Sequence, residues 1–566
     1  MALVNGLRFD NVRGDLFGGV TAAVVALPLA LAFGVASGAG AITGLYGAIF
    51  VGFFAALFGG TPSQVSGPTG PMTVVMAAVV TQYAHEPALA FTVVIMGGML
   101  QLVFGVLRLG RYVTFVPFKV ISGFMSGIGC IIIIIQMAPL FGHPGSTKGV
   151  LSALAALPIQ VMATLADLLA GRLTPLSEAL ILGVVALAIV LLMPARLQRW
   201  APAPLVALIA ATLVGVFFLS HAPVIGEIPR GVPVPKLPTL SLAALPAMIQ
   251  SALILALLGS IDSLLTSLIA DNVTRTRHKS DRELIGQGIG NMVAGLFGGI
   301  PGAGATMRTV INVRAGGRTP LSGALHALVL LTLVLGLAPL AEGIPLAVLA
   351  GILLKVGLDI IDWNFLRRIG RMPPSSILVM LTVLVLTVVA DLVTAVGVGI
   401  IMASLISASE LSKHQLDQLE LVASDAGGTS RISKTERDLI SRAEGQVLLI
   451  RLSGPFSFCS ANEITGRLGQ LGIDCRAVVF DFTEVPMIDV SVAFAIEGAI
   501  RDTAERDAAV ILAGIGGAAT DMLDRLKVLD LVPPDRRHAT RLAALEQALV
   551  LIGDNPTKDA APPVSA

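Results

Sequence analysis

The chain has 566 residues, of which 55% are hydrophobic and only 13% are charged, and its mean hydropathy is +0.85. A soluble domain carries roughly 25% charged residues, so this composition excludes an ordinary soluble protein and favours repeated crossing of a lipid bilayer. The formal net charge of +1 provides no field that would attract nucleic acid.

No catalytic or cofactor motif accompanies this composition. The three cysteines form no CxxC pair, and the seven histidines show no metal-ligand spacing. No nucleophile–base set and no phosphate-binding GxxxxGK[ST] loop is visible. We therefore expect neither an enzyme nor a tightly bound cofactor, and transport that is not driven by ATP bound to this chain.

The N-terminal segment, residues 1–15, does not have the pattern of a cleaved signal peptide. It contains Arg8, Asp10, Arg13 and Asp15. The apolar stretch that follows runs on into further apolar stretches, without a convincing cleavage site. This segment is therefore predicted to be a cytoplasmic N-terminus followed by a retained membrane helix.

A transmembrane domain is predicted over residues 16–408. Its apolar stretches predict fourteen spans near residues 16–37, 42–60, 68–83, 90–108, 112–138, 177–194, 202–220, 246–271, 284–298, 305–314, 320–338, 344–360, 374–389 and 391–408. The spans at 68–83 and 305–314 are short, and each follows a Gly/Pro-rich break.

The distribution of basic residues predicts the orientation. They cluster at Arg108/Arg111, Arg196/Arg199, Arg275 through Arg282, Arg314/Arg318 and Arg367/Arg368/Arg371. With a cytoplasmic N-terminus, all of these loops fall on the cytoplasmic side, as the positive-inside rule requires. The alternate loops, such as 139–149 and 221–238, are Pro/Gly-rich and poorer in basic charge.

A soluble domain is predicted after the membrane part. Residues 409–445 form a charged linker, residues 446–553 alternate strand and helix patterns, and residues 554–566 form a Pro/Ala-rich tail expected to be disordered. Strands are predicted at 446–452, 477–482 and 508–513, and helices at 461–471, 491–506, 517–527 and 540–552. The alternation indicates a small α/β domain.

The two short spans point to a binding site for an anion. Short helices in corresponding positions of two halves mark a transporter site, and a helix N-terminus attracts anions through its free N–H groups and its dipole. Small residues such as Gly70 give access to the backbone, while Thr69 and Thr306 add hydroxyl donors. The alternative is that both breaks are ordinary loop turns.

Asp262 lies deep in an apolar span, where a carboxylate is costly and usually functional. Thr266 follows one helical turn later on the same face. With free carbonyls at a helix break, the pair predicts an oxygen-ligand site for a small hard cation such as sodium, or a proton held on Asp262. The alternative is a structural hydrogen bond to another helix.

Other charges near the spans receive simpler interpretations. Arg308, just inside the second short helix, is expected to complement an anion or pair with Asp262, or else to form a structural salt bridge. Asp271, Glu283, Glu342 and Asp391 fall near span ends, and solvated caps are expected there.

Three segments of the chain resemble a known family. Gln64-Val65-Ser66-Gly67-Pro68-Thr69-Gly70-Pro71-Met72 resembles the first half-helix motif of the SulP anion permeases, and Gly14–Ala23 is similar to their first span. The strand 478–480 with the following segment 481–491 looks like the centre of a STAS domain. The resemblance implies fourteen spans as two inverted repeats of seven, core and gate domains, and a homodimer.

Within that family, the chain is most similar to the sodium-dependent bicarbonate transporters, through the segments 261–267, 274–276, 283–291 and 302–307. This resemblance implies that sodium is coordinated by Asp262, Thr266, Gly304 and Thr306, and that bicarbonate contacts Thr69 and Ala305. Two positions, Gly67 and Arg308, instead resemble the wider family, which includes sulfate and chloride handlers.

The function predicted from these observations is secondary active uptake of a small anion, with sodium and bicarbonate moving together across the inner membrane. The alternatives are proton-coupled or exchange transport of sulfate or a dicarboxylate, and a signalling scaffold whose STAS domain recruits an unknown partner. Ser491 matches a position that is phosphorylated in related bacterial modules, although a role as a helix N-cap, with Asp489 nearby, is the favoured interpretation.

Overall fold

The computed structural model describes residues 5–6, 8–111, 117–144, 150–170, 172–198, 201–226, 233–390, 392–416, 419–422, 432–469 and 475–553. The chain divides into two compact units, Met1–Ala403 and Ser404–Ala566. The expected disordered tail at 554–566 and residues 423–431 of the expected linker lie outside the described residues.

The first unit is built from helices and two very short strands. In chain order its elements are α1 (Val12–Ala36), α2 (Ala41–Phe58), β1 (Ser66–Gly67), α3 (Gly70–Gln82), α4 (Pro87–Val106), α5 (Phe118–Leu140), α6 (Val150–Leu169), α7 (Pro175–Leu192), α8 (Ala195–Gln198), α9 (Ala203–Phe218), α10 (Leu245–Thr274), α11 (Ser280–Leu296), β2 (Ala303–Gly304), α12 (Thr306–Arg314), α13 (Pro320–Glu342), α14 (Leu346–Ile360), α15 (Trp363–Arg367), α16 (Pro374–Val389) and α17 (Leu392–Leu416).

Among the described residues, eight helices are long and apolar enough to cross a membrane, and four shorter apolar helices accompany them. α3 and α12 have 13 and 9 residues, so at 1.5 Å per residue they are about 20 Å and about 14 Å long. Both are shorter than the ~30 Å hydrocarbon core. The two spans predicted to be short are therefore half-helices.

One helix was not predicted. No span was placed between residues 138 and 177, yet α6 occupies Val150–Leu169 and is apolar along its length. Pro158 and Gln160 interrupt the apolar run, which hid the helix in the sequence. Only 11% of its apolar window is buried within the protein, so most of its apolar side chains need the bilayer or another partner. The count of fourteen spans stays a prediction.

Glycines allow close helix contacts in the membrane unit. Gly98 of α4 and Gly288 of α11 face each other, and a Cβ added to either would lie 2.6 Å from the carbonyl oxygen of the other. Only residues without a side chain permit two helix backbones to approach this closely in lipid, where van der Waals contact drives association. The abundance of glycine thus has a structural cause.

The second unit contains a five-stranded sheet between two layers of helices. Its strands are β3 (Leu419–Val422), β4 (Val447–Ser453), β5 (Ala477–Glu484), β6 (Ala509–Ala513) and β7 (Arg537–His538). They lie in that order, with β3 antiparallel to β4 and the remaining pairs parallel. The helices are α18 (Lys434–Arg442), α19 (Phe458–Gly469), α20 (Val490–Glu505), α21 (Ala518–Arg525) and α22 (Arg541–Gly553).

The helices cover both faces of this sheet. Buried residues of α19, α20 and α21 form one core, and those of α18 and α22 form the other. Every residue of β4 is buried, as expected for a parallel strand covered on both faces. The predicted strands and helices of this unit are present, whereas β3, β7 and α18 were not predicted, and α17 continues to Leu416 into the expected linker.

An ionic cluster lies at the carboxyl ends of β4 and β5. The guanidinium of Arg451, 1% exposed, donates to Glu420 at 2.8 Å and to Glu484 at 2.7 Å. Arg541 donates through Nε to the buried carboxylate of Asp481 at 2.6 Å. Burial acts to lower the pKa of Arg451, but the hydrogen bonds and charges of the two glutamates outweigh it and raise that pKa. The cluster therefore holds a permanently charged guanidinium inside the unit.

Candidate anion and cation site

The two half-helices begin at one shared ribbon of backbone. β1 pairs antiparallel with β2, with Ser66 opposite Gly304 and Gly67 opposite Ala303. α3 starts at Gly70, directly after β1, and α12 starts at Thr306, directly after β2. The amino ends of the two helices, which the sequence places about 235 residues apart, are therefore brought together.

Gly67 is required at this ribbon. Its φ is +152°, a conformation that side chains disfavour. A Cβ there would lie 2.7 Å from Nη1 of Arg308 and 3.2 Å from Cα of Ala48. The ribbon thus runs against both α2 and α12 with no space for a side chain.

The helix N-termini retain free donors. The first N–H groups of any helix lack intrahelical acceptors, and in the described structure no side-chain hydrogen bond caps either N-terminus. The N-cap residues are Thr69 and Ala305. Uncapped N–H groups and the positive ends of two helix dipoles are suited to a small oxyanion.

A set of oxygen atoms lies beside β2 and is contributed by α10 and α12. The Thr266 hydroxyl donates to the carbonyl of Gly304 at 2.9 Å and lies 2.7 Å from the hydroxyl of Thr306. Asp262 is one helical turn before Thr266 and is 9% exposed. These are the four residues that the family resemblance implies as sodium ligands.

The donor set fits a hard monovalent cation. It consists of one carboxylate, two hydroxyls and one backbone carbonyl, all of them oxygen ligands. Groups of three or more His, Cys, Asp or Glu side chains that would hold a more highly charged metal are absent from the described residues. A single carboxylate balances a single positive charge.

Thr69 contacts the carboxylate directly. Its hydroxyl donates to Oδ2 of Asp262 at 2.8 Å across 193 residues of sequence, so it does not cap α3. Two roles were considered for Asp262, a carboxylate that binds a cation or a proton and a structural hydrogen bond to another helix. The hydrogen bond is present. The same bond joins the carboxylate to the first residue of the expected anion site.

Arg308 points into the protein behind the ribbon. It is 2% exposed, and its Nη2 donates to the carbonyl oxygen of Pro68. Its Nη1 is buried without a hydrogen-bond partner. Arg308 and Asp262 form no direct ion pair in the described structure, although their charges act on each other through space. The guanidinium instead supports the segment that leads into α3.

Glu283 was expected to be a solvated cap, and this expectation is wrong. It is 1% exposed. Its Oε2 accepts from the backbone N–H groups of Gly60 and Thr61, both at 2.9 Å, and its Oε1 accepts from the amides of Gln64 and Gln287, both at 2.8 Å. The carboxylate therefore fixes the chain between α2 and β1, directly before the first half-helix.

Asp15 has a similar role at the start of α1. It is 0% exposed and accepts from the N–H groups of Arg318 and Thr319, at 2.8 and 2.9 Å, and from the hydroxyl of Thr319 at 2.7 Å. It thus fixes the chain after α12 to the start of α1. Sequence reasoning missed this role because its donors lie more than 300 residues away.

Ser491 is exposed in the first turn of α20. The N-cap is Asp489, whose side chain accepts from the N–H of Val492 at 2.9 Å, so the expected capping role of Ser491 is wrong. The hydroxyl is accessible, and a regulatory role stays a prediction.

Two family models match the chain. The sulfate permease family matches residues 12–383, and the STAS domain matches residues 438–541. The bicarbonate transporter BicA of Picosynechococcus sp. is 47% identical over 97% of both chains, and that of Synechocystis sp. is 46% identical over 99% of this chain and 98% of the relative. A putative sulfate transporter of Bacillus subtilis, YvdB, is 30% identical over 82% of this chain and 84% of its own length.

Solved structures give the same result for the fold. The transmembrane domain of a cyanobacterial bicarbonate transporter BicA aligns with a TM-score of 0.65 and 51% identity, over 70% of this chain and all of that chain. Murine Slc26a9, an anion transporter in the inward-facing state, aligns with a TM-score of 0.80 over 96% of this chain and 92% of its own, at 18% identity. These matches confirm the predicted fold class, a helical membrane transport domain followed by a STAS domain.

Proposed function

Because the chain belongs to the sulfate permease family, we propose that it is a secondary transporter that carries bicarbonate and sodium together into the cell. The observation that carries the proposal is the joining of Asp262 to Thr69, since it connects the oxygen set on α10 to the N-terminus of the first half-helix. The bicarbonate transporters that match nearly the whole chain support the choice of anion.

In this proposal, the binding of sodium and of bicarbonate is coupled through the charge of Asp262. An ionised Asp262 beside the half-helix N-termini repels an incoming anion. Two unit charges about 5 Å apart interact by about 3 kcal/mol at an effective dielectric constant near 20. A sodium ion bound by Asp262, Thr266, Gly304 and Thr306 removes this repulsion, and the bound anion in turn stabilises the sodium ion. Each ion therefore raises the affinity for the other, as binding linkage requires.

The anion is held by donors in this proposal. The free N–H groups at Gly70 and Thr306 lie where the half-helices begin. They adjoin the N-cap residues Thr69 and Ala305, whose own hydroxyl proton and N–H are donated to Asp262 and to the carbonyl of Val65. A carboxylate oxygen has two lone pairs, so Asp262 accepts from Thr69 and coordinates sodium at the same time. Arg308 contributes its positive charge from behind the ribbon without direct contact to the anion.

The cellular arrangement belongs to the same proposal. We place the chain in the inner membrane as a homodimer, with the N-terminus and the STAS domain in the cytoplasm. In this arrangement α6 does not cross the bilayer, since only then do the basic loops before and after it all face the cytoplasm. We propose no enzymatic activity and no resident cofactor. The STAS domain is proposed to bind a partner that its sequence does not identify.

The experiment is uptake of labelled bicarbonate into proteoliposomes, with and without an inward sodium gradient, for the unmodified chain and for Asp262→Asn. We expect the sodium gradient to accelerate uptake in the unmodified chain and to have no effect in the variant. Parallel assays use labelled sulfate and an imposed proton gradient. Sulfate uptake driven by protons, or bicarbonate uptake indifferent to sodium, would overturn the proposal.

A further inference from the structure

An apolar cavity of about 480 Å³ opens between α9 on one side and α1, α2 and α13 on the other. Of the described residues that line it, only Thr212 has a polar side chain, and no charged side chain takes part. The hydroxyl of Thr212 is buried and has no hydrogen-bond partner. We call this cavity the α9 groove.

One face of α9 forms a wall along the length of the groove. Its lining residues are Leu205, Leu208, Ile209, Thr212, Leu213 and Val216, continued by Phe217. Their spacing of three and four residues places them on a single helix face. From Leu205 to Phe217 the helix rises about 18 Å. This length is close to half of the ~30 Å hydrocarbon core, which is the depth of one leaflet.

This face is left largely uncovered by the protein. Ile209, Leu213 and Val216 are 51%, 50% and 55% exposed, and Phe217 is 73% exposed. In an apolar region of a membrane, such side chains are covered by hydrocarbon. The opposite wall of the groove is well packed, since Leu31 of α1 and Leu45 of α2 are buried.

The position of the groove along the membrane follows from the helix ends. Ile42 and Leu45 lie in the first turns of α2, and Ile344 lies just beyond the end of α13. In the orientation set by the basic loops, these are the outer ends of both helices. The groove therefore opens in the outer half of the bilayer.

We propose that the α9 groove binds one acyl chain of an outer-leaflet phospholipid. Its length matches one leaflet, its lining is apolar, and its opening faces hydrocarbon. Since no described charged residue lines it, recognition depends on the chain and is indifferent to the headgroup. The proposal does not rest on which ions are transported.

The bound chain would bridge two groups of helices. α9 packs mainly against α7 and also contacts α14 and α1, whereas α1, α2 and α13 pack chiefly against one another and adjoin the half-helices. Movement of one group relative to the other changes the volume of the groove. An acyl chain in it therefore links the lipid composition to the relative position of the two groups.

The test is photolabelling of the full chain in proteoliposomes with a phospholipid that carries a diazirine on its acyl chain, followed by peptide mapping. In the unmodified chain we expect residues 205–217 to be labelled more strongly than Val385 and Val389, exposed side chains in the outer half of α16 that serve as the internal reference at similar depth. Equal labelling of the two regions would overturn the proposal.

Two variants at one position sharpen the test. Thr212→Trp fills the groove and should lower labelling of α9 about ten-fold, because displaced methylenes each contribute to chain affinity. Thr212→Val keeps the volume and removes only an unpaired hydroxyl, so labelling should be unchanged or stronger. Equal labelling in the Trp variant would contradict the proposal. If the Trp variant does not fold, the unmodified chain is labelled with two probes that carry the same acyl chain and either a phosphocholine or a phosphoglycerol headgroup. Labelling that depends on the headgroup would also contradict the proposal.

Discussion

Glu283 is expected to organise the segment that leads into the first half-helix. Four donors converge on its buried carboxylate, two from the backbone of Gly60 and Thr61 and two from the amides of Gln64 and Gln287, at 2.8–2.9 Å. A carboxylate is the only common side chain with two oxygens that both accept. The site is therefore specific for the charged acceptor.

Glu283→Gln keeps the size of the side chain and replaces one acceptor oxygen by an NH2 group. With its NH2 group turned toward the two glutamines, the new side chain can donate to Gln287, whose free Oε1 accepts once that amide rotates, and the hydrogen bond from Gln64 is lost. A hydrogen bond to a charged group contributes about 1.5–3 kcal/mol, so the expected destabilisation is about 1.5–3 kcal/mol. The loop before α3 should become mobile, and the half-helix N-terminus should lose its fixed position.

The assay combines thermal unfolding of the purified full chain with initial rates of anion uptake in proteoliposomes. We expect Glu283→Gln to lower both the unfolding temperature and the uptake rate. The matched control is Glu86→Gln, which changes an exposed glutamate whose side chain does not cap α4. An unfolding temperature and an uptake rate equal to those of the control would refute the role assigned to Glu283.

Three further predictions follow from the site and the soluble unit. Thr266→Val should raise the sodium concentration for half-maximal uptake about ten-fold or more, because one oxygen ligand is lost. Thr266→Ser keeps the hydroxyl and should show the sodium dependence of the unmodified chain. An unchanged sodium concentration in the Val variant would show that Thr266 is not a ligand. Gly67→Ala should reduce uptake strongly because its Cβ meets Arg308 at 2.7 Å, whereas Gly336→Ala, with open space around it, should not. Arg451→Met should destabilise the STAS unit by about 2 kcal/mol, measured by limited proteolysis of the full chain. The pKa of Arg451 is raised, so Arg451 stabilises the folded STAS unit at every pH below that pKa. The difference in stability between Arg451→Met and the unmodified chain should therefore be constant from about pH 6 to pH 9.

The local features of the site could be predicted from sequence. Gly/Pro-rich breaks before residues 70 and 306 mark helix starts because they supply backbone freedom and remove donors. A lone carboxylate at residue 262 stands out because charge is costly in lipid. The parallel strands β4, β5 and β6 are recognisable because burial on both faces makes them continuously apolar.

The contacts that assemble the site could not be predicted, because they join distant residues. The bond from Thr69 to Asp262 spans 193 residues, and three of the four donors of Glu283 come from a loop more than 200 residues earlier. A glutamate near a span end is equally compatible with a solvated cap and a buried anchor. Short edge strands such as β7, two residues long, carry too few residues to show a pattern.

The most direct test of coupled transport is the reverse gradient. Proteoliposomes with equal sodium on both sides receive an inward bicarbonate gradient at fixed pH and clamped membrane potential, and entry of radiolabelled sodium is followed. The account predicts that the unmodified chain accumulates sodium transiently, driven by bicarbonate, and that Asp262→Asn does not. Bicarbonate entry without any sodium accumulation in the unmodified chain would contradict the account.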